Sequence, residues 1–425
     1  MSMNGDAGGD DLPPMRIDVC DPARREPGLI VFTARPGSIR NQKAQLGWVI
    51  ALDRAGAVRF NLKVDAATQD VRRDLDGNIV YSQAGIGLIT KIDWQGKILG
   101  RWHAQGRWLD KTPPAGSIAL PIDVLHHAFQ LLPNGNFLVL SAEARSFEGW
   151  HGSTTDASAS RATAKLVGDV VAEFTQTGDL VREWRLLDML DPYRIGHGSR
   201  SNYWHKLGFP GAFDWSHANS IFYDASDDSI LASLRHQDCI IKFDRASGEL
   251  RWILGNHSHW TGRQAERLLS PGAGVEWQFH QHDCSVVGPG RVLCFDNGNF
   301  RAGAFAPKQA DATSYSRVVE FEVDETSRTV RQPWCFGDGG EDRIFACYQG
   351  GACRLPKTGN TFMTFGGICT IDGVPTSDNV DAFGKARLIE VTPGGDIVFD
   401  ASIDDSGSAK PRPFSAFRAE HFPDG

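Results

Sequence analysis

The sequence predicts an all-β protein, a six-bladed β-propeller with four-stranded blades. Three observations support this fold class: strand-like runs dominate, one hairpin pattern recurs six times, and a second hairpin lies between its copies. Units of four strands are typical of a propeller, in which blades pack on their neighbours and the N- and C-terminal segments pair to close the ring. One large β-sandwich or two smaller β-domains are the alternatives.

The first hairpin consists of an apolar alternating run, a polar turn and a second run that often ends in an aromatic residue. WVIALDRAGAVRF, from Trp48, is its first copy. Further copies begin at Leu88, Val170, Cys239, Arg317 and Arg387. Alternation with period two is the pattern of half-buried strands, so each copy predicts two antiparallel strands.

The second hairpin has a different turn and completes each unit. Copies begin at Asp74, Leu131, Phe222, Val286 and Arg354, and the run near Leu29 supplies a sixth by pairing with the C-terminus. Division of residues 28–418 by six gives roughly 65 residues per unit, which is longer than a WD40 repeat. We therefore expect a single propeller domain over residues 28–425, preceded by a flexible N-terminal segment over residues 1–27.

Charge and composition exclude several classes of protein. The 425 residues include 44 Lys+Arg and 52 Asp+Glu, a net charge of −8, which argues against nucleic acid or an anionic membrane as the main partner. No apolar run is long enough to span a membrane, and the Gly- and Asp-rich start does not resemble a secretory signal. We expect a cytoplasmic protein, or a periplasmic one if a signal has been removed.

The cysteines predict no metal or redox motif. None of the eight forms a C-x-x-C pair, and most lie in apolar strand-like runs. Buried reduced thiols are the ordinary interpretation of this pattern, and a disulfide between Cys347 and Cys353 is the alternative.

Three histidines occupy the same position in three of the second hairpins. When these hairpins are aligned by their turns, His127, His217 and His282 each begin the first strand of a blade. First strands line the central channel of a propeller, and the connections on this side of the ring are long. Because binding sites are commonly built from long loops over a rigid scaffold, the sequence predicts a functional site where the three imidazoles converge.

Further polar residues extend this site. Arg235 ends a strand that returns to the histidine side. Asn219 follows His217 by two residues, and the alternation of a strand directs the side chains of Asn219 and His217 to the same face. An arginine and several imidazoles suit a tetrahedral oxyanion such as sulfate or phosphate. Three histidines also suit a transition metal, and His126 and His280 are additional candidate ligands. The positive charge of Arg235 argues against a bound cation, but the sequence alone does not decide between an anion and a metal ion.

Two segments resemble signatures of the bacterial arylsulfotransferase family. These are DWSHANSIFYDASDDSILASLRHQDCIIKFDRASGELRWILG, from Asp214 to Gly255, and HQHDCSVVGPGRVLCFDNGN, from His280 to Asn299. HHAFQLLPNGNFLVL and GGACRLPKTGNTFMTFGG resemble weaker blade motifs. The resemblance extends from Gly28 to Pro423 and implies a six-bladed propeller that moves a sulfuryl group from a phenolic sulfate ester to another phenol, without a nucleotide sulfate donor.

The resemblance also implies roles for individual residues. His282 would attack sulfur and become N-sulfurylated in a ping-pong reaction, while Arg235, His127, His217 and Asn219 would hold the sulfate oxygens. A second histidine would protonate the leaving phenolate and then deprotonate the acceptor. No cofactor is expected, the partners are a small phenolic sulfate and a phenol, and a homodimer is compatible with the sequence.

Two other hypotheses are kept. A lyase or hydrolase of aromatic compounds, working by histidine acid–base chemistry or a histidine-bound metal, is suggested by Ala128, which stands where the family commonly has an acid. A non-catalytic propeller that binds a partner through its loops is the third. The sequence has no P-loop or G-x-G-x-x-G motif. Five tryptophans near loops are candidates for stacking on an aromatic substrate: Trp102, Trp204, Trp215, Trp260 and Trp277.

Overall fold

The structure is a computed structural model that describes residues 12–37, 46–340 and 342–424. Strands make up 48% and helices 6% of the chain, in a propeller arrangement. The all-β prediction is therefore confirmed. No helix among the described residues is both long and apolar enough to cross a lipid bilayer.

Thirty strands follow one another along the described chain. Strands β1 to β10 are Met15–Cys20, Leu29–Pro36, Gly47–Asp53, Val58–Val64, Val71–Arg73, Ile79–Gln83, Leu88–Ile92, Ile98–Ala104, Ile118–Leu120 and His126–Leu131. Strands β11 to β20 are Phe137–Trp150, Ala162–Phe174, Leu180–Arg185, Ala212–Asp214, Ala218–Asp224, Ser229–Leu234, Cys239–Asp244, Leu250–Gly255, Ser270–Pro271 and His282–Gly288. Strands β21 to β30 are Arg291–Asp296, Arg317–Asp324, Thr329–Phe336, Ala346–Tyr348, Gly351–Arg354, Thr361–Ile371, Val374–Pro375, Phe383–Val391, Ile397–Ile403 and Phe414–Phe422.

Helices are short and lie in connections between strands. The α-helices α1 and α2 are Leu186–Met189 and Gly262–Ala265. Single 3-10 turns occupy Ala84–Ile86, Gln105–Trp108, Tyr203–Lys206, Arg235–Gln237 and Asp311–Thr313.

The strands form six sheets built from antiparallel neighbours. Their strand orders are β30-β2-β3-β4, β5-β6-β7-β8-β9, β10-β11-β12-β13, β15-β16-β17-β18, β19-β23-β22-β21-β20 and β1-β29-β28-β26-β24. The sheets are less uniform than the four-stranded units predicted from the hairpins. Short extra strands from the connections add to four of them: β9 pairs in parallel with β8, β14 with β12 and β19 with β23, and β27 pairs with β26. β25 forms a hairpin with the first part of β26, whereas β24 pairs with a later part of it.

The hairpin turns explain why the repeat was visible in the sequence. Asp53 Oδ1 accepts hydrogen bonds from the backbone of Ala55 and Ala57, and Gly56 has a φ of 80°. Asp93 repeats this arrangement before Gly96. An aspartate that binds the backbone ahead of it, followed by a glycine in the left-handed region, reverses the chain at low cost.

The ends of the chain pair with distant strands. β30 pairs with β2, and β1 pairs with β29. Residues 15–20 were expected in a flexible segment, but they form a strand at the edge of the last sheet. Next to it, Arg25 and Glu390 form a buried ion pair at 2.9 Å. The partners of β1 are almost 400 residues away, which is why its local sequence gave no sign of them. Residues 1–11 lie outside the described residues.

Apolar side chains fill the space between neighbouring sheets. Leu140 and Val171 of one sheet pack with Ile221 and Ile241 of the next, for example. All eight cysteines are free thiols, so the disulfide considered between Cys347 and Cys353 is not formed. Cys347 instead neighbours the thiol of Cys369, a contact that with burial raises the pKa of Cys347.

Candidate active site

Three strands lose their regular register where the predicted histidines lie. The ladder skips between His126 and Phe129 in β10, between Ala218 and Ser220 in β15, and between His282 and Cys284 in β20. His127 and His217 both have a φ of 50°, a region that side-chain-bearing residues seldom adopt and that often marks functional sites. The three positions are therefore similar but not identical, since His282 pairs in its ladder whereas His127 lies inside a bulge.

The side chains from these positions meet in one cavity of about 230 Å³. Its wall includes the imidazoles of five histidines, and no carboxylate among the described residues lines it. The histidines, arginines and other aromatic residues that line it are His126, His127, His217, His236, His282, Arg35, Arg107, Arg235, Tyr203, Trp204, Tyr348 and Phe417. A cavity with several arginines and no lining acid favours an anionic ligand.

His282 is held in one tautomer by a buried amide. Its Nδ1 lies 2.7 Å from Asn297 Oδ1. The Nδ2 of Asn297 donates to the carbonyls of Ala346 and Gln349, which fixes the orientation of the amide. Nδ1 of His282 must then be the donor, so the lone pair lies on Nε2. That atom accepts only a long hydrogen bond, 3.2 Å, from the backbone N–H of Gln349.

The charge state of His282 suits a nucleophile. Burial and then the nearby positive charge of Arg235 lower its pKa well below the usual value. A neutral imidazole keeps the lone pair that attacks an electrophile, so His282 is in its reactive form at neutral pH.

His217 is paired with a buried carboxylate. Its Nδ1 lies 2.5 Å from Asp214 Oδ2, and Trp204 Nε1 donates to the other carboxylate oxygen at 2.9 Å. Burial raises the pKa of Asp214 and lowers that of His217, because both charged forms are poorly solvated there. The carboxylate orients the ring and stabilises an imidazolium that forms during a reaction, as a histidine acting as acid and base requires.

His127 and His126 form a second pair. His126 Nε2 lies 3.0 Å from the carbonyl oxygen of Ser141, so that atom is the donor. The other nitrogen, Nδ1, then accepts from His127 Nδ1 at 2.9 Å, which leaves the lone pair of His127 on Nε2. Burial lowers the pKa of His126 to about 4. The ring centroid of His127 is 4.8 Å from that of His217.

Arg235 lies in a 3-10 turn beside these rings. Its backbone N–H donates to the carbonyl of His217, and its Nη2 donates to the carbonyl of Cys347 at 3.2 Å. Nη1 lies 2.9 Å from Nε2 of His236, whose ring stacks on His217 at 4.5 Å. The guanidinium is thus fixed close to the imidazoles, where it can bind an oxyanion.

Two predicted site residues do not line this cavity. Asn219 lies within the bulge, so the alternation expected from His217 fails, and its Nδ2 donates to the carbonyl of Gln281 instead. The His280 ring packs against Phe300, with Nδ1 3.0 Å from Asp238 Oδ1. The structure therefore brings together His126, His127, His217, His282 and Arg235.

Sequence reasoning missed three residues that order the site. Asp214 and His236 both lie in the first family-like signature, and Asn297 lies in the second. The adjacency of His236 to Arg235 was the available signal. Of the five tryptophans considered for stacking, Trp204 lines the cavity, whereas the remaining four are not among its lining residues.

One group of residues is close enough to be considered as a metal site: one potential ligand atom of each lies within 4.8 Å of the others. The group consists of Asp214, His217 and His236. Three of the four imidazole nitrogens in this group are already engaged. His217 Nδ1 is bound to Asp214 Oδ2, and His236 Nδ1 donates to the carbonyl of Asp214 at 2.8 Å. Nε2 of His236 faces a guanidinium. The group forms a hydrogen-bonded network and fits a cation poorly.

The fold and cavity together define a β-propeller with a histidine and arginine site for anions. Comparison with known proteins gives the family: the chain belongs to the arylsulfotransferase (ASST) family, whose model matches residues 20–409. The resemblance seen in the sequence is confirmed.

Two curated relatives are similar over part of their length. The chain is 27% identical to arylsulfate sulfotransferase AssT of Escherichia coli O6:H1 over 259 residues, 51% of this chain and 40% of that protein. It is 26% identical to arylsulfate sulfotransferase AssT of Lelliottia amnigena over 213 residues, 40% of this chain and 35% of that protein. The matches thus span well under half of either relative.

Similarity to solved structures is distant. A protein of unknown function from Bacteroides caccae has a TM-score of 0.45 at 10% identity, over 92% of this chain and 99% of that one. Virginiamycin B lyase from Staphylococcus aureus has a TM-score of 0.35 at 10% identity, over 82% and 95%.

Proposed function

We propose that the protein transfers a sulfuryl group from a phenolic sulfate ester to a phenolic acceptor through an N-sulfurylated His282. The observation on which this rests is the fixed tautomer of His282, whose Nε2 lone pair lies in a cavity with Arg235 and without lining carboxylates. Family membership supports the reaction class.

Binding of the donor comes first. The sulfate ester has one negative charge, which Arg235 neutralises, while His127 and His236 lie beside it in the cavity wall as neutral rings. Tyr203, Trp204 and Phe417 provide aromatic surface for the phenol ring. Asn219 takes no part in this proposal, because its side chain is bound to the neighbouring strand.

In the first half-reaction, Nε2 of His282 attacks sulfur as the bond from sulfur to the phenolic oxygen breaks. The electron pair of that bond leaves with the phenolate. The phenolate takes the proton from Nε2 of His217, while the proton of Asp214, a carboxyl group whose pKa is raised by burial, moves to Nδ1 of the same ring. His282 must first release the long hydrogen bond from Gln349 N–H, which can then bind a sulfuryl oxygen. Asn297 stays bound to Nδ1 and stabilises the positive charge of the sulfurylated ring.

In the second half-reaction, an acceptor phenol enters and loses its proton to His217. Its oxygen attacks sulfur, the bond from nitrogen to sulfur breaks, and the electron pair returns to His282. As Nε2 of His217 takes this proton, the Nδ1 proton returns to Asp214, so the pair ends the cycle in the state in which it began.

No step of this scheme needs a cofactor. The sulfuryl group passes between two phenols without any change in oxidation state, and the charge is balanced by protein groups. A histidine-bound metal is the alternative, and activity that survives exhaustive chelation would exclude it.

The architecture proposed with this function is a single ring of six blades over residues 28–424. Six sheets are present, and the inner strands β5, β10, β15, β20, β25 and β30 contact one another in that order, with β30 also contacting β5. Pairing of β30 with β2 would close the ring. A homodimer and a cytoplasmic location stay predictions, as does the periplasmic alternative.

The test uses p-nitrophenyl sulfate as donor and phenol as acceptor. We expect release of p-nitrophenol, formation of phenyl sulfate, and, without acceptor, a mass increase of one SO₃ group on the peptide that contains His282. His282→Asn should abolish both. His257→Asn, at an exposed histidine outside the cavity, is the matched control. A folded protein that releases nitrophenol without phenyl sulfate would be a hydrolase, and the transferase proposal would then be wrong.

A further inference from the structure

The cavity contains two arginines that the reaction does not use. Arg35 lies on β2 and Arg107 in the 3-10 turn Gln105–Trp108, so both come from the N-terminal quarter of the chain. The imidazoles and Arg235, in contrast, come from β10 and from the sheets that follow it. The cavity therefore has cationic groups on parts of its wall that belong to different sheets.

Neither arginine has a carboxylate partner among the described residues. Arg35 Nε donates to Ser415 Oγ at 3.4 Å, and Arg107 Nη2 donates to the carbonyl of Gly85 at 2.7 Å. Two fully buried arginines outside the cavity are paired with carboxylates, Arg25 with Glu390 and Arg317 with Asp296, whereas the buried Arg194 binds Gln237 Oε1 at 3.0 Å. Partial burial of a guanidinium has an unfavourable desolvation free energy. Without a counter-ion nothing offsets it, unless a ligand supplies the negative charge.

Tyr203 connects these arginines to the reacting groups. Its ring centroid lies 4.9 Å from that of His217. Burial raises the pKa of Tyr203, and the positive charges of Arg35 and Arg107 oppose that rise. Tyr203 and both arginines line the same cavity as the imidazoles, so an aromatic ring beside Tyr203 can present one substituent to the imidazoles and another to the arginines.

We propose that the phenols used by this site have a second anionic group on the ring, a carboxylate or a sulfonate, which Arg35 and Arg107 bind. This inference rests on the proposed function. The phenolic oxygen or its sulfate lies at His282 and Arg235, and the second anion lies at Arg35 and Arg107 in the wall of the same cavity. The site would thereby select acidic phenols over neutral ones.

The experiment compares acceptors of similar size. The kcat/KM values of 4-hydroxybenzoate and 4-hydroxybenzenesulfonate are divided by that of the neutral 4-hydroxybenzamide, with p-nitrophenyl sulfate as donor. A charge-assisted pair predicts a ratio of about tenfold or more for the anion that the site prefers. Comparison of the two acids then tells whether the planar carboxylate or the tetrahedral sulfonate fits.

Variants assign the preference to residues. Arg35→Met and Arg107→Met should each lower the ratio toward one, whereas Arg35→Lys should retain part of it. Arg331→Met, at an exposed arginine outside the cavity, is the matched control and should leave the ratio unchanged. A wild-type ratio near one for both acids, or a ratio that both Met variants retain, would overturn the proposal.

Calorimetric binding separates this inference from the proposed reaction. If no sulfuryl transfer occurs with any acceptor, but 4-hydroxybenzoate binds more tightly than 4-hydroxybenzamide and Arg35→Met removes the difference, the reaction is wrong and the anion site stands. If transfer to phenol occurs but acidic phenols have no advantage in rate or binding, the anion site is wrong and the reaction stands.

Discussion

Asn297 offers the sharpest test of the proposed nucleophile, because it touches His282 without occupying the cavity wall. Two substitutions should have opposite effects on the pKa of His282. Asn297→Ala removes the acceptor that lies 2.7 Å from Nδ1. The hydrogen bond to this acceptor favours the protonated ring, so its loss should lower the pKa of His282 further. Asn297→Asp keeps an acceptor and adds a negative charge, which should raise the pKa.

The size of the effect follows from the contacts. Loss of an orienting partner costs a catalytic histidine up to about 10⁴-fold in kcat in a serine protease triad. His282 keeps its contact with Gln349, so we expect a smaller loss, about 10²- to 10³-fold, in Asn297→Ala. The same variant removes the donor from the carbonyl of Gln349 and one of two donors from that of Ala346, which also accepts from Ser316 Oγ, and should lower the free energy of unfolding by about 1–3 kcal/mol.

The assay measures kcat/KM for p-nitrophenyl sulfate from pH 4 to 9, with samples quenched in alkali so that nitrophenolate is read at one pH. Activity requires neutral His282, so it falls as the pH drops below the pKa of that ring. The acidic limb should move to higher pH in Asn297→Asp and to lower pH in Asn297→Ala. Asn134→Ala, in an exposed hairpin turn, is the control. Identical acidic limbs in both variants, with equal losses in rate, would refute the reasoning.

Three further predictions concern the surrounding groups. Asp214→Asn should lower kcat about 10²- to 10⁴-fold with little change in urea midpoint, measured with the same donor, and an unchanged kcat would exclude His217 as acid and base. The lowered pKa of His126, about 4, makes the unfolded state bind more protons at this site between that pH and about 6.5. His126 should therefore contribute about 1.4 kcal/mol per pH unit to the fall in the free energy of unfolding on acidification, and His126→Asn should reduce the measured slope by that amount; an unchanged slope would contradict this assignment. Glu390→Gln leaves Arg25 buried without its counter-ion and should cost about 3–5 kcal/mol in urea unfolding.

Local patterns predicted the strands and the histidines well, because both depend on short-range chemistry. The Asp and Gly residues of the turns act on backbone atoms within four residues, so each copy of the hairpin had a recognisable sequence. The position of His127, His217 and His282 relative to those turns followed directly. The number of residues between a turn and a histidine predicts how far along its strand the histidine lies. Because this number is the same in three hairpins, it was sufficient to predict that the three rings meet.

Side-chain direction was predicted less well, because it depends on where a ladder skips. Asn219 was assigned to the site by alternation, and one bulge reverses that assignment. His280 precedes its strand and has a φ of 51°, so no alternation rule applies to it. Asp214 and Asn297 were missed because neither lies at an aligned position of the hairpins. Asp214 comes three residues before His217, a local spacing that has no counterpart in the other repeats, and Asn297 reaches His282 from 15 residues further along the chain.

The strand β1 was missed because its partner lies at the opposite end of the sequence. Residues 15–20 are mostly exposed at the sheet edge, so their pattern has no buried face to reveal them. Only the pairing with β29 defines them as a strand.

The pairing of β30 with β2 has a consequence for how the protein becomes active. Arg35 sits opposite Ser415 in that pair, so one wall of the cavity is complete only after residues almost 400 positions apart have met. Contacts of such long range form late and slowly. During synthesis, the histidines of the middle sheets are available well before the last strand leaves the ribosome, yet the cavity that they share stays open along one side. Competence to bind a ligand should therefore arise in a single late step, and refolding experiments should find ligand binding recovered well after the bulk of the strand signal.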